Sequence, residues 1–466
     1  MAVDITEKII SAIGVDKVKT DEAFLMERRH DYSVVSQLAD LQGRGAPNPA
    51  CVAAPRTTQD VIAVVNVCRE NRVPLIPFGL GSGVVCGVIA SPRSILLDMS
   101  FMKKIRKIDA HNLLATFEAG VRGADAEAAV AREGMTIAHF PQSIDVSSIG
   151  GWLATRSCGQ FSSAYGAVED MVMGLEVVLP NGEVLNTRLT PRAASGPDLK
   201  QLFIGSEGTL GVICSATFSL RWKPQKQDYS AYYAPTMAKG IAFQRFVIQS
   251  GWTPPVMRQY DHIEAKRLFP EQVRNQDAVV ILVHEGPAGQ VAAEMRECSE
   301  IAADLGCDTA PVEMVKKWLE DRNHVSGFES FLQNNIILDT IEIAATWDRI
   351  GGIYENAVSS LNRVENMLNA SAHSSHCYRS GINLYFTFAA KVEDASKMEA
   401  VYYECWRRVM EATIDGGGGI SHHHGIGRVR RNWMPDEVGE TGVSLLRKIK
   451  GVLDTENFMN PGVLIP

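Results

Sequence analysis

The sequence lacks the features that mark several large classes of protein. Its 466 residues carry 46 basic against 54 acidic side chains, a formal net charge of −8. A general excess of positive charge therefore cannot hold nucleic acid, and any anion site must be local. No apolar run approaches the roughly 18 residues that span a bilayer, so we expect no transmembrane segment. The length predicts about three domains or subdomains.

Cysteine is present, but it follows no pairing pattern. The nine cysteines are odd in number, scattered along the chain and never spaced Cys-x-x-Cys, which argues against a disulfide framework and a zinc ribbon. The first residues, MAVDITEKIISAIG, carry acids where a secretory signal carries positive charge, and they contain no long apolar stretch. We therefore expect a protein of the cytoplasm, where thiols stay reduced.

Alternating strand and helix signals fill the first half of the chain. Thr57 and Asp60 can cap a helix whose apolar residues recur at helical spacing, and short apolar runs flank it. A second α/β block covers residues 144–220. From about residue 225 to 415 the sequence carries longer amphipathic patterns, such as 349–368, between strands. This texture predicts a separate α+β domain.

A glycine-rich loop, PFGLGSGVVCG at residues 77–87, follows an apolar run that ends at Ile76. Alternate glycines let the backbone turn tightly and aim successive N–H groups at one anion. The loop is not a Gly-x-Gly-x-x-Gly fingerprint, because Val84 or Cys86 stands where the last glycine should be. It is not a P-loop either, because no Gly-Lys-Ser/Thr follows. It predicts a different diphosphate site or a simple tight turn.

Two further segments have unusual glycine spacing. One begins PQSIDVSSIGGW at residue 141 and continues to residue 166, and the other is GSEGTLG at 205–211. The three segments, in this order, resemble the FAD-binding domain of the vanillyl-alcohol oxidase and p-cresol methylhydroxylase superfamily over about residues 45–220. The ending NPG at 460–462 also resembles that family. The resemblance implies an α/β plus α+β fold: a two-subdomain FAD-binding domain (1–220), an α+β cap or substrate domain (221–424) and a C-terminal segment returning to the FAD domain (425–466).

The same resemblance implies FAD as the cofactor. Many members tether the flavin through a histidine in or near the first loop. Here Phe78, Leu80 and Ser82 occupy that loop, so we expect noncovalent FAD. Cys86 is predicted to be a small packing residue. The residues expected around FAD are Pro77, Gly79, Leu80, Gly81, Ser82, Gly83, Gly87, Gln142, Ser147, Ile149, Gly150, Gly151, Thr155, Ser157, Gly159, Glu207, Gly208 and Ile213.

The most unusual segment is GGGGISHHHGIGRVRRNW at residues 416–433. Adjacent histidines are costly unless they share protons, bind a metal or contact an anion. In an extended backbone, His422 and His424 would point one way and His423 the other. Three interpretations stay open: metal ligation by the alternate pair, proton transfer by one histidine, and anion binding together with Arg428, Arg430 and Arg431.

This segment, together with residues 192–199, TWDR at 346–349 and residues 381–388, resembles the alkyldihydroxyacetonephosphate synthases, which exchange an acyl for an alkoxy group on a flavin without net redox change. The resemblance implies that Tyr385 is the catalytic tyrosine, that His423 belongs to an essential histidine run and that Arg258 binds substrate. From the residues alone, Tyr385 is equally well a sheet residue of an aromatic strand. The ending VLIP is no peroxisomal address, which disfavours an ether-lipid role.

Other relatives by resemblance oxidise D-lactate, glycolate or D-2-hydroxyglutarate with the same flavin domain. Some of them bind a divalent metal through histidines in the strand equivalent to 383–388. Here residues 379–385 contain no histidine. Although His373 and His376 lie nearby, a metal usually needs three or four protein ligands, so we expect none.

The sequence therefore predicts an FAD-dependent oxidoreductase that oxidises a small hydroxylated anion, such as a 2-hydroxy acid. The alternative is the alkyldihydroxyacetonephosphate synthase reaction. No nucleic-acid partner is expected, and the electron acceptor and oligomeric state, a homodimer among the options, stay open. The candidate catalytic residues are Tyr385, His422, His423, His424 and Arg258, with Arg428 and Arg430 as candidate anion ligands.

Overall fold

The structure is a computed structural model that describes residues 4–274, 276–325 and 327–466. Its first subdomain is built on a four-stranded sheet. Its strand order is β1-β2-β4-β3, with β2, β4 and β3 parallel and β1 antiparallel to β2. The predicted helix after Thr57 is present, and the capping box with Asp60 closes its first turn. The elements are α1 (Ile5–Ile13), β1 (Val18–Lys19), α2 (Glu22–Arg28), α3 (Val34–Leu41), β2 (Cys51–Ala53), α4 (Thr58–Asn71), β3 (Leu75–Phe78) and β4 (Ile95–Asp98).

The second subdomain is a five-stranded antiparallel sheet in the order β5-β6-β10-β8-β9, and a small β11-β7 pair lies apart from it. Its central strand β10 is buried along almost its whole length. The elements are β5 (Ile105–Asp109), β6 (Leu114–Glu118), α5 (Gly123–Ala131), β7 (Met135–Thr136), α6 (Ile149–Thr155), α7 (Ser162–Tyr165), α8 (Val168–Met171), β8 (Val172–Val178), β9 (Val184–Asn186), α9 (Lys200–Phe203), β10 (Val212–Ser219) and β11 (Arg221–Trp222).

The α+β part is a seven-stranded antiparallel sheet in the order β15-β12-β14-β13-β17-β18-β16. Its elements are β12 (Lys226–Ala234), α10 (Met237–Gln249), β13 (Val256–Tyr260), α11 (His262–Leu268), β14 (Ala278–Gly286), α12 (Ala288–Asp304), β15 (Asp308–Thr309), α13 (Glu313–Asp321), α14 (Glu329–Gln333), β16 (Ile336–Thr346), α15 (Ile350–Leu361), β17 (Met367–Ser374), β18 (Gly381–Lys391) and α16 (Met398–Asp415).

The prediction of one amphipathic element over residues 349–368 was wrong at its C-terminal end. The helix stops at Leu361, and strand β17 begins at Met367. Asn366 has a φ of 54°, in the left-handed region that a helix does not use. The chain therefore turns there, and the next residues join the sheet beside β18.

The last helix, α17 (Met434–Leu453), is followed by a segment that lies against the first subdomain. The Leu75 N–H donates to the Phe458 carbonyl oxygen at 2.8 Å, and the Asn460 N–H donates to the Leu75 carbonyl oxygen at 2.9 Å. All nine cysteines are buried and free of disulfides. Across the described ranges, no helix is both long and apolar enough to cross a bilayer.

Candidate active site

A loop with unused backbone donors follows β3. Within the described part of the chain, the N–H groups of residues 80–85 donate no hydrogen bond to protein atoms. The loop is held at its far end, where the Gly87 N–H donates to the Asp31 carboxylate at 2.7 Å. Gly81 has a φ of +74°, which favours glycine. A run of free N–H groups on a fixed turn is what binding of a diphosphate requires.

Close packing around this loop explains why glycine recurs in three separate segments. A Cβ atom on Gly79 would lie 2.5 Å from Ser148 Oγ, and one on Gly208 would lie 2.9 Å from Pro77 Cγ. The loop, the start of α6 and the GSEGTLG segment therefore meet at distances that side chains would block. This glycine-lined cradle with free amides fits an FAD diphosphate.

Other predicted cofactor residues lie around the same cradle but already have protein partners. The first N–H groups of α6, from Ile149 and Gly150, donate to the carbonyl oxygens of Val121 and Ala119, just after β6, so they are not free for an anion. The Ser157 hydroxyl lies 2.9 Å from His139 Nε2. Gln142 Nε2 donates to the His324 carbonyl oxygen at 2.8 Å, which ties this segment to the α+β part. Ser147, Thr155 and Gly159 lie in the same stretch, and Ile213 is buried in β10.

Glu207 connects the cradle to the histidine segment. Its carboxylate accepts the N–H groups of Ile426 and Gly427 at 2.8 and 2.9 Å. Burial raises the pKa of Glu207 to about 7. Asn460 Nδ2 donates to the carbonyl oxygens of Glu207 and Gly87. The NPG ending therefore ties the two glycine-rich segments together.

The histidine segment is a tight bend around a buried carboxylate that the sequence did not reveal. Glu342 Oε1, from β16, accepts the backbone N–H groups of His422, His423 and His424 at 3.3, 3.1 and 2.8 Å. The backbone curls around this oxygen, so the extended geometry considered for the three histidines is wrong. The His422 and His423 rings meet, with Nδ1 atoms 2.8 Å apart.

Arg430 is the partner of Glu342, and this corrects its predicted role. Both side chains are fully buried, and the guanidinium pairs with both carboxylate oxygens. Burial opposes ionisation of Glu342, but Arg430 and His424 outweigh it and hold the pKa of Glu342 well below its usual value. Arg430 therefore positions the bend and does not reach a substrate anion.

Arg428 is likewise engaged with protein atoms. It donates to the carbonyl oxygens of Pro461 and Gly462 at 2.8 and 3.2 Å. Burial lowers its pKa. These contacts fix the C-terminal segment beside the cofactor loop, and anion binding by Arg428 stays a prediction.

Sheet register sets Tyr385 in the middle of the candidate site. Across the adjacent strands β17, β18 and β16, His373 pairs with Tyr385, and Tyr385 pairs with Glu342. The Tyr385 ring stacks on His373 with centroids 4.8 Å apart and lies 6.0 Å from the nearly parallel ring of His423. The Thr340 hydroxyl donates to Tyr385 Oη at 2.9 Å. Burial raises the pKa of Tyr385, so its phenol stays protonated.

The neighbouring histidines are held neutral. Tyr378 Oη lies 2.6 Å from His422 Nε2, and Ser162 Oγ lies 2.6 Å from His376 Nδ1. Burial lowers the pKa of His422 to about 4 and those of His376 and His423 well below the ordinary value. Neutral imidazoles can accept a proton from a bound substrate.

One group of potential metal ligands occurs in the described residues. Ligand atoms of Cys158, His376 and His422 lie within 4.8 Å of one another. One nitrogen of each ring already has a close hydroxyl partner: Ser162 for His376 Nδ1 and Tyr378 for His422 Nε2. Burial raises the pKa of the Cys158 thiol to about 12, which disfavours the thiolate that a metal needs.

We expect prolonged treatment with EDTA to leave the rate of flavin reduction by substrate unchanged. The physical reason is that the Cys158 group already forms a neutral hydrogen-bonded cluster. Elemental analysis before and after dialysis checks that any adventitious metal has been removed. One equivalent of a divalent metal per chain, with activity lost on its removal and regained on its return, would contradict this expectation.

Two arginines without carboxylate partners flank the site. Arg258 Nη2 donates to His373 Nε2 at 2.8 Å, which leaves His373 Nδ1 to donate to Glu264 at 3.1 Å. These two hydrogen bonds fix the tautomer of His373 and orient the Arg258 guanidinium. Among the described residues, Arg258 has no carboxylate within 4.0 Å.

Arg322 is the second arginine, and it was not among the residues predicted from the sequence. Its guanidinium lies over the rings of Phe140 and Phe161 and donates to Gln160 Oε1 at 2.8 Å. Burial lowers its pKa, and no carboxylate of the described chain lies within 4.0 Å of it. Gln160 and Phe161 belong to the segment that touches His376 through Ser162. An arginine at the end of α13 carries no signal of this contact in the sequence.

Two family models match this chain. One is an FAD-binding domain that matches residues 49–188, and the other is the C-terminal domain of FAD-linked oxidases, which matches residues 223–464. The chain belongs to the FAD-linked oxidases. The predicted fold class, an FAD-binding domain of the p-cresol methylhydroxylase type with an α+β cap, is confirmed.

Known proteins similar to this FAD-linked oxidase span nearly its whole length. The uncharacterized FAD-linked oxidoreductase YgcU of Escherichia coli (strain K12) is 30% identical over 99% of this chain and 98% of its own. Glycolate oxidase subunit GlcD of Bacillus subtilis (strain 168) is 28% identical over 98% and 96%. A solved structure of an alkyldihydroxyacetonephosphate synthase superposes with a TM-score of 0.82 at 24% identity, covering 99% of this chain and 86% of that one.

Proposed function

We propose that this FAD-linked oxidase oxidises a small hydroxylated anion of the 2-hydroxy-acid type. The observation that carries the proposal is the placement of His423, which burial keeps neutral, beside the protonated Tyr385. A neutral base and a hydrogen-bond donor side by side suit the removal of a hydroxyl proton. Bound FAD supplies the acceptor for the hydride that leaves the same carbon.

In this proposal, residues of the protein accept the hydroxyl proton and bind the substrate carboxylate. His423 accepts the hydroxyl proton, and the Tyr385 phenol donates a hydrogen bond to the substrate oxygen. Arg258 and Arg322 bind the carboxylate, because a guanidinium without a carboxylate partner in the protein is free to pair with a substrate anion. Glu342 and Arg430 keep the histidine bend in place. The relation to glycolate oxidase subunit GlcD supports this substrate class.

A panel of D- and L-2-hydroxy acids, mixed anaerobically with the purified flavoprotein, tests the proposal. We expect at least one acid to bleach the flavin and to yield the corresponding 2-oxo acid. Arg322→Met should weaken apparent binding of that acid by at least about tenfold, since it removes a charge-assisted pair. Arg56→Met is the matched control, because Arg56 is exposed and its ion pair with Asp16 involves none of the candidate site residues. No bleaching by any member of the panel would contradict the proposed substrate class.

The alternative is the reaction of alkyldihydroxyacetonephosphate synthases, exchange of an acyl for an alkoxy group on a dihydroxyacetone phosphate ester. The structural likeness to such an enzyme favours it, and the same arginines would hold a phosphate. Under this alternative the flavin ends each turnover oxidised. Flavin that stays oxidised with every hydroxy acid, together with release of a fatty acid and formation of the alkyl ether of dihydroxyacetone phosphate, would select it.

We further propose that FAD is bound noncovalently. The loop at 77–87 presents Phe78, Leu80 and Ser82 and no histidine, and its Cys86 is buried against the hydroxyls of Ser33 and Ser36. Protein precipitated with acid or heat should therefore release its yellow flavin into the supernatant. Flavin that stays with the washed, denatured pellet would contradict this prediction.

A further inference from the structure

We propose that Tyr378, His422 and His423 form a proton relay that carries the substrate's hydroxyl proton away from the reacting carbon. The inference rests on the proposed function. Its geometric basis is a continuous path: His423 Nδ1 lies 2.8 Å from His422 Nδ1, and His422 Nε2 lies 2.6 Å from Tyr378 Oη. Both distances are those of direct hydrogen bonds.

The relay answers a difficulty in using His423 as a base. A protonated His423 would be a buried cation next to His424, and the positive charge of Arg430 would repel it. Burial alone already disfavours the imidazolium. Passing a second proton out through Nδ1, while the substrate proton enters at Nε2, leaves His423 neutral before and after the reaction.

The transfer balances without any net charge on the three residues. Before reaction, His423 Nδ1–H donates to His422 Nδ1, His422 Nε2–H donates to Tyr378 Oη, and His423 Nε2 presents its lone pair. The substrate proton then bonds to His423 Nε2, the Nδ1 proton moves to His422, and the Nε2 proton of His422 moves to Tyr378. The original hydroxyl proton of Tyr378 leaves to a solvent water, so one proton enters and one leaves.

Tyr378 is suited to the outer end of this path. It lies in the turn before β18, and the residue is 36% exposed, whereas His376 on the same turn is 3% exposed. Its hydroxyl also has Cys158 Sγ at 3.8 Å, a weak partner that leaves the oxygen free to exchange protons. A hydroxyl can accept one proton while giving up another, which phenylalanine at this position cannot do.

Tyr378→Phe tests the relay directly. In anaerobic stopped-flow mixing with a substrate that reduces the wild-type flavin, we expect flavin reduction to be slower by about 10- to 100-fold, with FAD content unchanged. A plot of the wild-type rate against the deuterium fraction of the solvent should be curved, because several protons move together. The same plot for the variant should be linear. Tyr229→Phe is the matched control, since the Tyr229 hydroxyl donates to Gln227 within β12 and has no contact with the histidine segment. A wild-type rate with an unchanged curve in Tyr378→Phe would overturn the relay.

A second measurement needs no substrate and therefore separates failure of the relay from failure of the proposed function. Nitrogen-15 NMR of labelled histidines, assigned with His422→Gln and His423→Gln, reports which ring nitrogen carries the proton. We expect Tyr378→Phe to shift the Nδ1 and Nε2 signals of both His422 and His423, because one hydrogen-bonded path links them. Signals of His423 that stay unchanged would overturn the relay, even if no hydroxy acid reduces the flavin.

Discussion

Replacing His423 with alanine should slow flavin reduction by about 10²–10⁴-fold, the usual contribution of a positioned acid or base. FAD content should stay at the wild-type level, because the amides of residues 80–85 and the close-packed glycines that form the cradle do not involve the His423 ring. Single-turnover flavin reduction under anaerobic conditions measures the rate, and the ratio of flavin to protein absorbance measures the content.

His111→Ala is the matched control for this substitution. His111 is exposed in the turn between β5 and β6, so its loss should leave both rate and flavin content unchanged. Tyr385→Phe distinguishes the two candidate bases, because Tyr385 keeps its proton at neutral pH. A wild-type rate in His423→Ala, combined with a loss of about 10²-fold or more in Tyr385→Phe, would transfer the role of base to the tyrosine.

Replacing Gly81 with aspartate should abolish FAD retention. The new carboxylate would stand beside the diphosphate where free N–H groups converge, and like charges repel. A Cβ atom there would also lie 2.9 Å from Phe78 Cζ on a backbone with φ +74°. Purified Gly81→Asp should be colourless, with the circular dichroism of the folded apoprotein.

Gly134→Asp controls for backbone strain alone. Gly134 has the same φ of +74°, but a Cβ atom on it would meet nothing within 4 Å. It should therefore cost some stability and keep a full complement of FAD. Normal flavin content in Gly81→Asp would remove the loop from the cofactor site.

Local patterns in the sequence gave the helix after Thr57, the α/β and α+β halves and the glycine-rich segments that pack together. These features depend on residues close in sequence, such as the capping pair Thr57 and Asp60 and the spacing of glycines. The end of the helix at Leu361 was not predicted, because the amphipathic pattern continues past the turn at Asn366 into a strand.

The parts of the site that sequence patterns missed depend on long-range contacts. Glu342 stands 80 residues before His422 in the strand β16. Because that strand carries a second acid, Asp339, as well as Thr340 and Thr346, no local pattern marks Glu342 as the partner of the histidine segment. Arg430 could be recognised as a charge, but its burial on Glu342 could not. Arg322 acquires its role from two phenylalanines that lie more than 150 residues earlier in the chain.

A single turnover in the absence of oxygen distinguishes oxidation of a 2-hydroxy acid from the exchange reaction. The flavoprotein is mixed first with a reactive 2-hydroxy acid and, separately, with an acyl dihydroxyacetone phosphate and a long-chain alcohol, while the flavin spectrum and the products are recorded. We expect the hydroxy acid to bleach the flavin and to yield one 2-oxo acid per FAD. Flavin that stays oxidised with the hydroxy acids, together with release of a fatty acid from the phosphate ester, would contradict this expectation.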